Sequence, residues 1–181
     1  MTENIKARLM DSRDVERALT RIAHEIVEKN RGVKDLCILG IRNRGEVLGE
    51  RIGAKIRTIE GADLPVGALD ITLYRDDMAT RGGSRLPQET HIPFAIDGKI
   101  IVLVDDVLFT GRSARAAIDE IIDFGRPTAI QLAVLVDRGH REFPIHADYV
   151  GKNVPSSQKE QVLVRVKEYD KVDEVVIVEK D

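Results

Sequence analysis

Four apolar runs, Leu36 to Ile41, Val66 to Leu73, Lys99 to Val104 and Ile130 to Val136, recur along the chain, and amphipathic helical patterns separate them. A strand apolar at nearly every position must be covered on both faces, and strands joined by helices run parallel. The chain is therefore expected to form an α/β fold with a central, mainly parallel sheet flanked by helices. With 181 residues, 43% of them hydrophobic and 33% charged, residues 1–181 suffice for one well-cored domain.

The helices read from spacing and punctuation. Asp11 with Asp14 caps a helix whose apolar face is Val15, Ala18, Leu19, Ile22, Ala23 and Ile26, closing near Gly32. A second helix is expected over Glu46 to Ile56 with Val47, Leu48, Ile52 and Ile56 inward. A third runs from Arg112 to Phe124, buries Ala114, Ala117, Ile118, Ile121 and Ile122, and stops at Gly125 and Pro127. The stretch from Arg75 to Ile92 has no periodicity, only charge, polar residues and Gly82-Gly83, and reads as a flexible loop over residues 75–92 able to close over a site. In the tail, Val162 to Val166 and Val175 to Val178 form a hairpin or add an edge strand.

Charge and cysteine content narrow the function classes. A net charge of −3 excludes a coat of positive charge, so any nucleic-acid contact is local. Cys37 is the single cysteine, which rules out disulfides within the chain and a cysteine-based zinc site. With no signal peptide and no run of eighteen apolar residues, the sequence points to the cytoplasm and away from a membrane.

The chemistry concentrates where the third run ends. Ile101 to Val104 leads into Asp105 and Asp106, then Val107, Leu108, Phe109, Thr110, Gly111, Arg112 and Ser113 open a helix. The Thr110 and Ser113 hydroxyls and the backbone N–H groups of this turn can wrap a phosphate at the helix N-terminus. The carboxylates can meet sugar hydroxyls or a magnesium ion carried by the substrate. A Walker loop is excluded, since no lysine follows the glycine. Two more polar turns follow strands and converge on the same sheet edge. Arg42, Asn43, Arg44 and Gly45 offer guanidinium forks and backbone donors to a second anionic group, and Asp137, Arg138, Gly139, His140, Arg141 and Glu142 form a third charged turn. His24, His91, His140 and His146 lack metal-ligand spacing, so no dedicated protein metal site is expected.

These residues resemble the phosphoribosyl-pyrophosphate (PRPP) signature of the type I phosphoribosyltransferases. More narrowly, Leu69 to Asp77, Val136 to Glu142 and Ala147 to Pro155 are similar to the bacterial pyrimidine operon regulators of that superfamily, over about Leu9 to Val178. The resemblance implies a type I phosphoribosyltransferase fold with a flexible loop and a small C-terminal hood over residues 148–181. It implies a uridine-nucleotide sensor that binds the leader of pyrimidine operon mRNA, acts through attenuation or translation, and converts uracil and PRPP to UMP and pyrophosphate with Mg2+ bound to PRPP. UMP and UTP are the implied signals, and the implied assembly is a homodimer or homotetramer.

Carried onto this sequence, Asp105 and Asp106 hold the ribose, residues Val107 to Ser113 the 5′-phosphate, and Arg42 to Gly45 with Arg138 the pyrophosphate, so that Asp105, Asp106, Arg44 and Arg138 form the catalytic group. Lys152, Asn153, Val154, Pro155 and Val162 fall to the base. Thr20, Arg21, His24, His140, Arg141, His146 and Lys152 fall to RNA. The sequence departs from the family at Asn43, Phe109, Ser113 and His146, where threonine, tyrosine, threonine and arginine are usual. A histidine mostly neutral at pH 7 makes the RNA surface weaker or pH-dependent there. Two other readings share the pocket: a dedicated salvage phosphoribosyltransferase without an RNA role, and a catalytically weak RNA-binding nucleotide sensor.

Overall fold

The computed structural model describes residues 4–76 and 88–179. Five parallel strands form the main sheet in the order β3-β2-β4-β5-β6: β2 (Leu36–Ile41), β3 (Val66–Leu69), β4 (Ile100–Leu108), β5 (Ala129–Asp137) and β6 (Tyr149–Asn153). The helices that join them are α2 (Arg44–Glu60) and α3 (Arg112–Phe124), with α1 (Ser12–Asn30) ahead of β2. A smaller antiparallel sheet, ordered β1-β8-β7, combines β1 (Ile5–Met10) with β7 (Glu160–Arg165) and β8 (Glu174–Glu179). The short helix α4 (Lys167–Asp170) lies between β7 and β8.

Alternation along each strand explains the continuous apolar runs. Leu36, Ile38, Val102, Val104, Ala133 and Leu135 pack with α1 and α2, whereas Cys37, Leu39, Ile101, Leu103, Leu132 and Val134 pack with α3. The first of these cores also takes in Val162, Val164, Val175 and Ile177, which seats the small sheet as a hood on the larger one.

Helix α1 forms as its punctuation requires. The Asp14 N–H donates to Asp11 Oδ1 at 2.9 Å and the Asp11 N–H to Asp14 Oδ2 at 3.1 Å, a reciprocal capping box. Its buried residues are the expected stripe. At the C-terminus Arg31 takes the left-handed conformation, and Gly32 N–H closes on Val27 O at 3.0 Å.

Several boundaries differ from expectation. Strand β3 ends at Leu69 because the Asp70 carboxylate accepts from the Thr72 N–H at 3.0 Å, turning the chain and leaving Leu73 80% exposed. Helix α2 is longer at both ends than Glu46 to Ile56 and closes on Gly61 with φ 67°. In α3, Ile122 is 61% exposed rather than inward, since an apolar stripe wider than the sheet contact leaves its margin in solvent. Strand β1 carries no alternating pattern and was not legible, and β6 belongs to the edge of the main sheet instead of the hood. Of the loop expected over residues 75–92, positions 77–87, including Gly82-Gly83, lie outside the described residues. Its end is pinned: His91 and Ala68 exchange backbone hydrogen bonds of 2.8 and 2.9 Å beside β3.

Candidate active site

Strand β4 does not stop before the acidic pair. It continues to Leu108, so Asp105 and Asp106 are held by the ladder to β5 and are not loose turn residues. The Asp106 N–H donates to Asp105 Oδ1 and the Val107 N–H to Asp106 Oδ1, each at 2.8 Å. Burial first, and then the neighbouring Asp106 carboxylate, push the Asp105 carboxyl well above the usual carboxylate range, while the Arg75 guanidinium acts in the opposite direction.

Two cavities meet at this pair. The first, of about 380 Å³, is lined by residues 105–114, by Arg44, Arg75, Arg138 and Asp170, and by β7 from Gln161 to Arg165. The second, of about 560 Å³, is lined by Ile41 to Gly45, Asp70, Ile71, Thr72, Arg75, Gln88, Asp105 to Val107 and Ser113. Every residue expected to hold ribose, 5′-phosphate or pyrophosphate therefore borders one cavity or the other.

The turn after β4 has the build of an anion cradle. Gly111 adopts φ 91° as it enters α3, a conformation that favours glycine, and the Thr110 hydroxyl accepts from the Arg112 N–H at 3.3 Å. The cradle is supported from outside: Glu142 and Phe143 donate backbone N–H groups to Thr110 O at 2.8 and 3.1 Å. Phe109 lies under the Arg138 guanidinium at 4.1 Å and meets the His140 ring edge-on at 5.9 Å. The Arg112 side chain turns away to Glu142 and Asp76, both at 2.6 Å, so its contribution to the cradle is its backbone.

Across the pair, the β2–α2 turn presses on β4. A Cβ on Gly45 would lie 2.5 Å from Val104 O, so only glycine allows this approach. The Arg42–Asn43 peptide is cis. Arg42 pairs with Glu46 at 3.1 Å while its Nε is buried without a hydrogen-bond partner among the described residues, at the edge of the second cavity. Arg44 makes a forked ion pair with Asp170 of α4, with contacts of 2.8, 3.1 and 3.2 Å.

Three expectations need revision. Arg138 borders the first cavity and not the second. Buried to 6% exposure, it donates to Ser156 Oγ, Ser157 O and Glu160 O at 2.8 to 3.0 Å, which fixes the segment ahead of β7 instead of facing the β2–α2 turn. Lys152, Asn153, Val154 and Pro155 line neither cavity, because β6 carries the first two along the sheet edge. Val162 does line the first. The third concerns the RNA group, which divides. The Arg141 side chain is only 18% exposed and holds Phe109 O and Ile145 O at 2.9 and 2.8 Å, besides pairing with Asp137. His140 Nε2 lies 2.5 Å from Ser156 O. These two support the turn after β4.

Arg21, by contrast, is exposed on α1 and donates to Val150 O and Gly151 O at 3.1 and 2.6 Å; it borders a shallow surface depression with Arg17 and Lys152. Lys152 Nζ donates to Leu9 O at 3.0 Å. His24 and His146 are exposed, and the Thr20 hydroxyl is bonded back to Glu16 O at 2.9 Å. Residues that reasoning from sequence left out of the site are Asp70, Thr72, Arg75, Gln161, Arg165 and Asp170. Arg75 sits beside the acidic pair and donates to Ser113 Oγ at 3.2 Å. Only Arg75 had a sequence signal, its place just after the Val66 to Leu73 run; Asp70 fell inside that run and reaches a strand end only because β3 stops at Leu69.

Among the described residues, no group of three or more His, Cys, Asp or Glu side chains is placed to hold a metal ion, and no helix is long and apolar enough to cross a membrane.

The model of the phosphoribosyl transferase domain matches residues 7–169. The chain is 57% identical to the bifunctional protein PyrR of Pelotomaculum thermopropionicum over 174 residues, covering 96% of each chain. It is 59% identical to the protein of that name from Chloroflexus aurantiacus, covering 93% of each, and 58% identical to that of Thermus aquaticus, covering 97% of each. Among solved structures, a hypoxanthine phosphoribosyltransferase of Staphylococcus aureus matches with a TM-score of 0.72 at 17% identity, over 97% of this chain and 94% of the other. One from Trypanosoma cruzi matches with a TM-score of 0.75 at 16% identity, over 96% and 95%. These structural matches show the fold, and the sequence matches extend along nearly the whole chain. The chain belongs to the phosphoribosyl transferase family and, within it, to the group of proteins named bifunctional protein PyrR.

Proposed function

We propose that this protein transfers the phosphoribosyl group of PRPP to uracil, giving UMP and pyrophosphate, and that with uridine nucleotide bound it recognises the leader of pyrimidine operon mRNA. The observation that carries the reading is the placement of Asp105 and Asp106 where two cavities meet, a phosphate cradle on one side and an arginine-lined turn on the other. PRPP has the matching shape, a sugar between two anionic groups.

In this reading the cradle from Val107 to Ser113 holds the 5′-phosphate, the acidic pair the ribose hydroxyls, and Arg42 to Gly45 with Arg75 the pyrophosphate. Departure of pyrophosphate leaves positive charge on the sugar. Asp106, at the junction of the two cavities, would stabilise that charge, and Arg44, which lines both, would stabilise the leaving group. Two carboxylates beside bound pyrophosphate are hard oxygen donors that suit Mg2+, which would arrive with PRPP and supply charge neutralisation. Arg138 acts through its neighbours, placing Phe109 under the cradle and the start of β7 beside the base.

The base falls to β7, an edge strand of the hood. Glu160 O points away from β8 toward Arg138, and alternation places the N–H and C=O of Val162 and Val164 on that same open edge. Paired donors and acceptors at that spacing suit the edge of uracil. RNA recognition is narrowed to the exposed surface of Arg17, Arg21, His24, His146 and Lys152, with His140 and Arg141 relaying occupancy of the phosphate turn. A homodimer or homotetramer, working in the cytoplasm, would extend that surface, and the 61% and 51% exposure of Ile122 and Phe124 on α3 supplies apolar area for pairing.

Filter binding of pyrimidine leader RNA at fixed salt tests the regulatory half. UMP is expected to tighten binding, and Arg21→Ala to weaken it by about 1–3 kcal/mol if Arg21 reads a base. Absence of any specific complex, with or without UMP, returns the protein to a salvage enzyme.

A further inference from the structure

Arg44 is not free in this structure. Its forked pair with Asp170 brings together the turn that would hold pyrophosphate and the short helix α4 of the hood. The geometry is the one a guanidinium offers to a phosphate, two parallel N–H donors on two oxygens. Both side chains are well shielded, at 30% and 22% exposure, so the pair is screened less than a surface ion pair. Arg44 borders both cavities and Asp170 only the first, so the pair draws the guanidinium toward the hood side.

Asp170 is not needed to hold α4 in place through Arg44. Arg51 anchors the same segment independently, reaching Glu168 at 2.5 Å and Asp173 at 2.8 Å. Asp170 also accepts the Val166 N–H at 2.9 Å, a bond the amide oxygen of asparagine can accept as well.

We propose that Asp170 is an internal anion that occupies Arg44 when pyrophosphate is absent, so that it sets the affinity of the second cavity for pyrophosphate and thereby speeds release of that product. The proposal rests on the reading of the β2–α2 turn as the pyrophosphate site. An incoming pyrophosphate must displace a carboxylate already seated on the fork, and the carboxylate returns when the product leaves. Without it, Arg44 meets pyrophosphate with no competitor.

The test is calorimetric titration of magnesium pyrophosphate into the parent, Asp170→Asn and Arg44→Gln, together with pyrophosphate inhibition of UMP formation. Asp170→Asn is expected to bind pyrophosphate about fivefold or more tighter and to show a correspondingly lower inhibition constant, with uracil affinity within twofold of the parent. Arg44→Gln is expected to bind pyrophosphate about tenfold more weakly. If Asp170→Asn does not fold, Asp170→Ser is read the same way. Unchanged or weaker pyrophosphate binding in the Asp170 variant, with Arg44→Gln weakened, overturns the role of Asp170 and leaves the site intact. Arg44→Gln binding like the parent overturns both, because the turn then does not hold pyrophosphate.

Discussion

Asp105 carries opposed demands. Folding buries its carboxyl beside a second carboxylate, which favours the protonated form, whereas holding a ribose or a magnesium-bound substrate favours the ionised one. The sign of the stability effect follows. Below the ordinary value of 3.8 the group is protonated in folded and unfolded chains alike; as pH rises above it, the unfolded chain loses its proton first and the folded state is progressively penalised. Asp105→Asn should therefore raise the melting temperature, by more at neutral pH than at about pH 3, where the carboxyl is protonated in both states, while UMP formation falls. A melting difference that shrinks as pH rises would show that the carboxyl is not strained by burial. The pair itself was legible in the sequence because two acids in succession close an apolar run. Its burial was not, since nothing local says that β4 runs on to Leu108, and Asp170 was not, because it comes from the far end of the chain.

At the scale of elements, the turn after β4 depends on a neighbour that reasoning from sequence assigned to RNA. Arg141 follows β5, and its guanidinium spans Phe109 O, Ile145 O and the Asp137 carboxylate, joining the turn after β4 to the connection that leads to β6. Hydrogen bonds to a charged group contribute about 1.5–3 kcal/mol when their partners are left buried. Arg141→Ala is expected to lower stability by about that much in chemical denaturation and to raise KM for PRPP severalfold, a result opposite to a surface role that spares catalysis. A variant with parental stability and PRPP kinetics but weakened RNA binding would restore the surface role. Helices α1 and α3 were readable almost to the residue, because a capping aspartate, a Gly-x-Pro stop and an apolar stripe are local signals. Strands β1 and β6 were not: each is a short edge strand whose partners, β8 and β5, decide its conformation.

Across the whole molecule, one apolar core ties α1, α2, the main sheet and the hood together, so the open edge of β7 and the acidic pair of β4 are held as parts of one body. The acidic pair with its cradle and the arginine turn are placed by parallel strands that end at one edge, which is why two segments far apart in sequence converge. The fold is shared with hypoxanthine enzymes at 16–17% identity, so the fold by itself leaves the base undecided. The most direct measurement is conversion of labelled uracil to UMP by the purified protein with PRPP and magnesium, with hypoxanthine and guanine as competing bases and Asp106→Asn alongside the parent. UMP should form, neither purine should be used, and the variant, still folded, should lose about 3 kcal/mol of transition-state stabilisation, roughly a hundredfold in rate. Nucleotide formed from a purine, no UMP from uracil, or an Asp106→Asn rate within twofold of the parent would contradict the account.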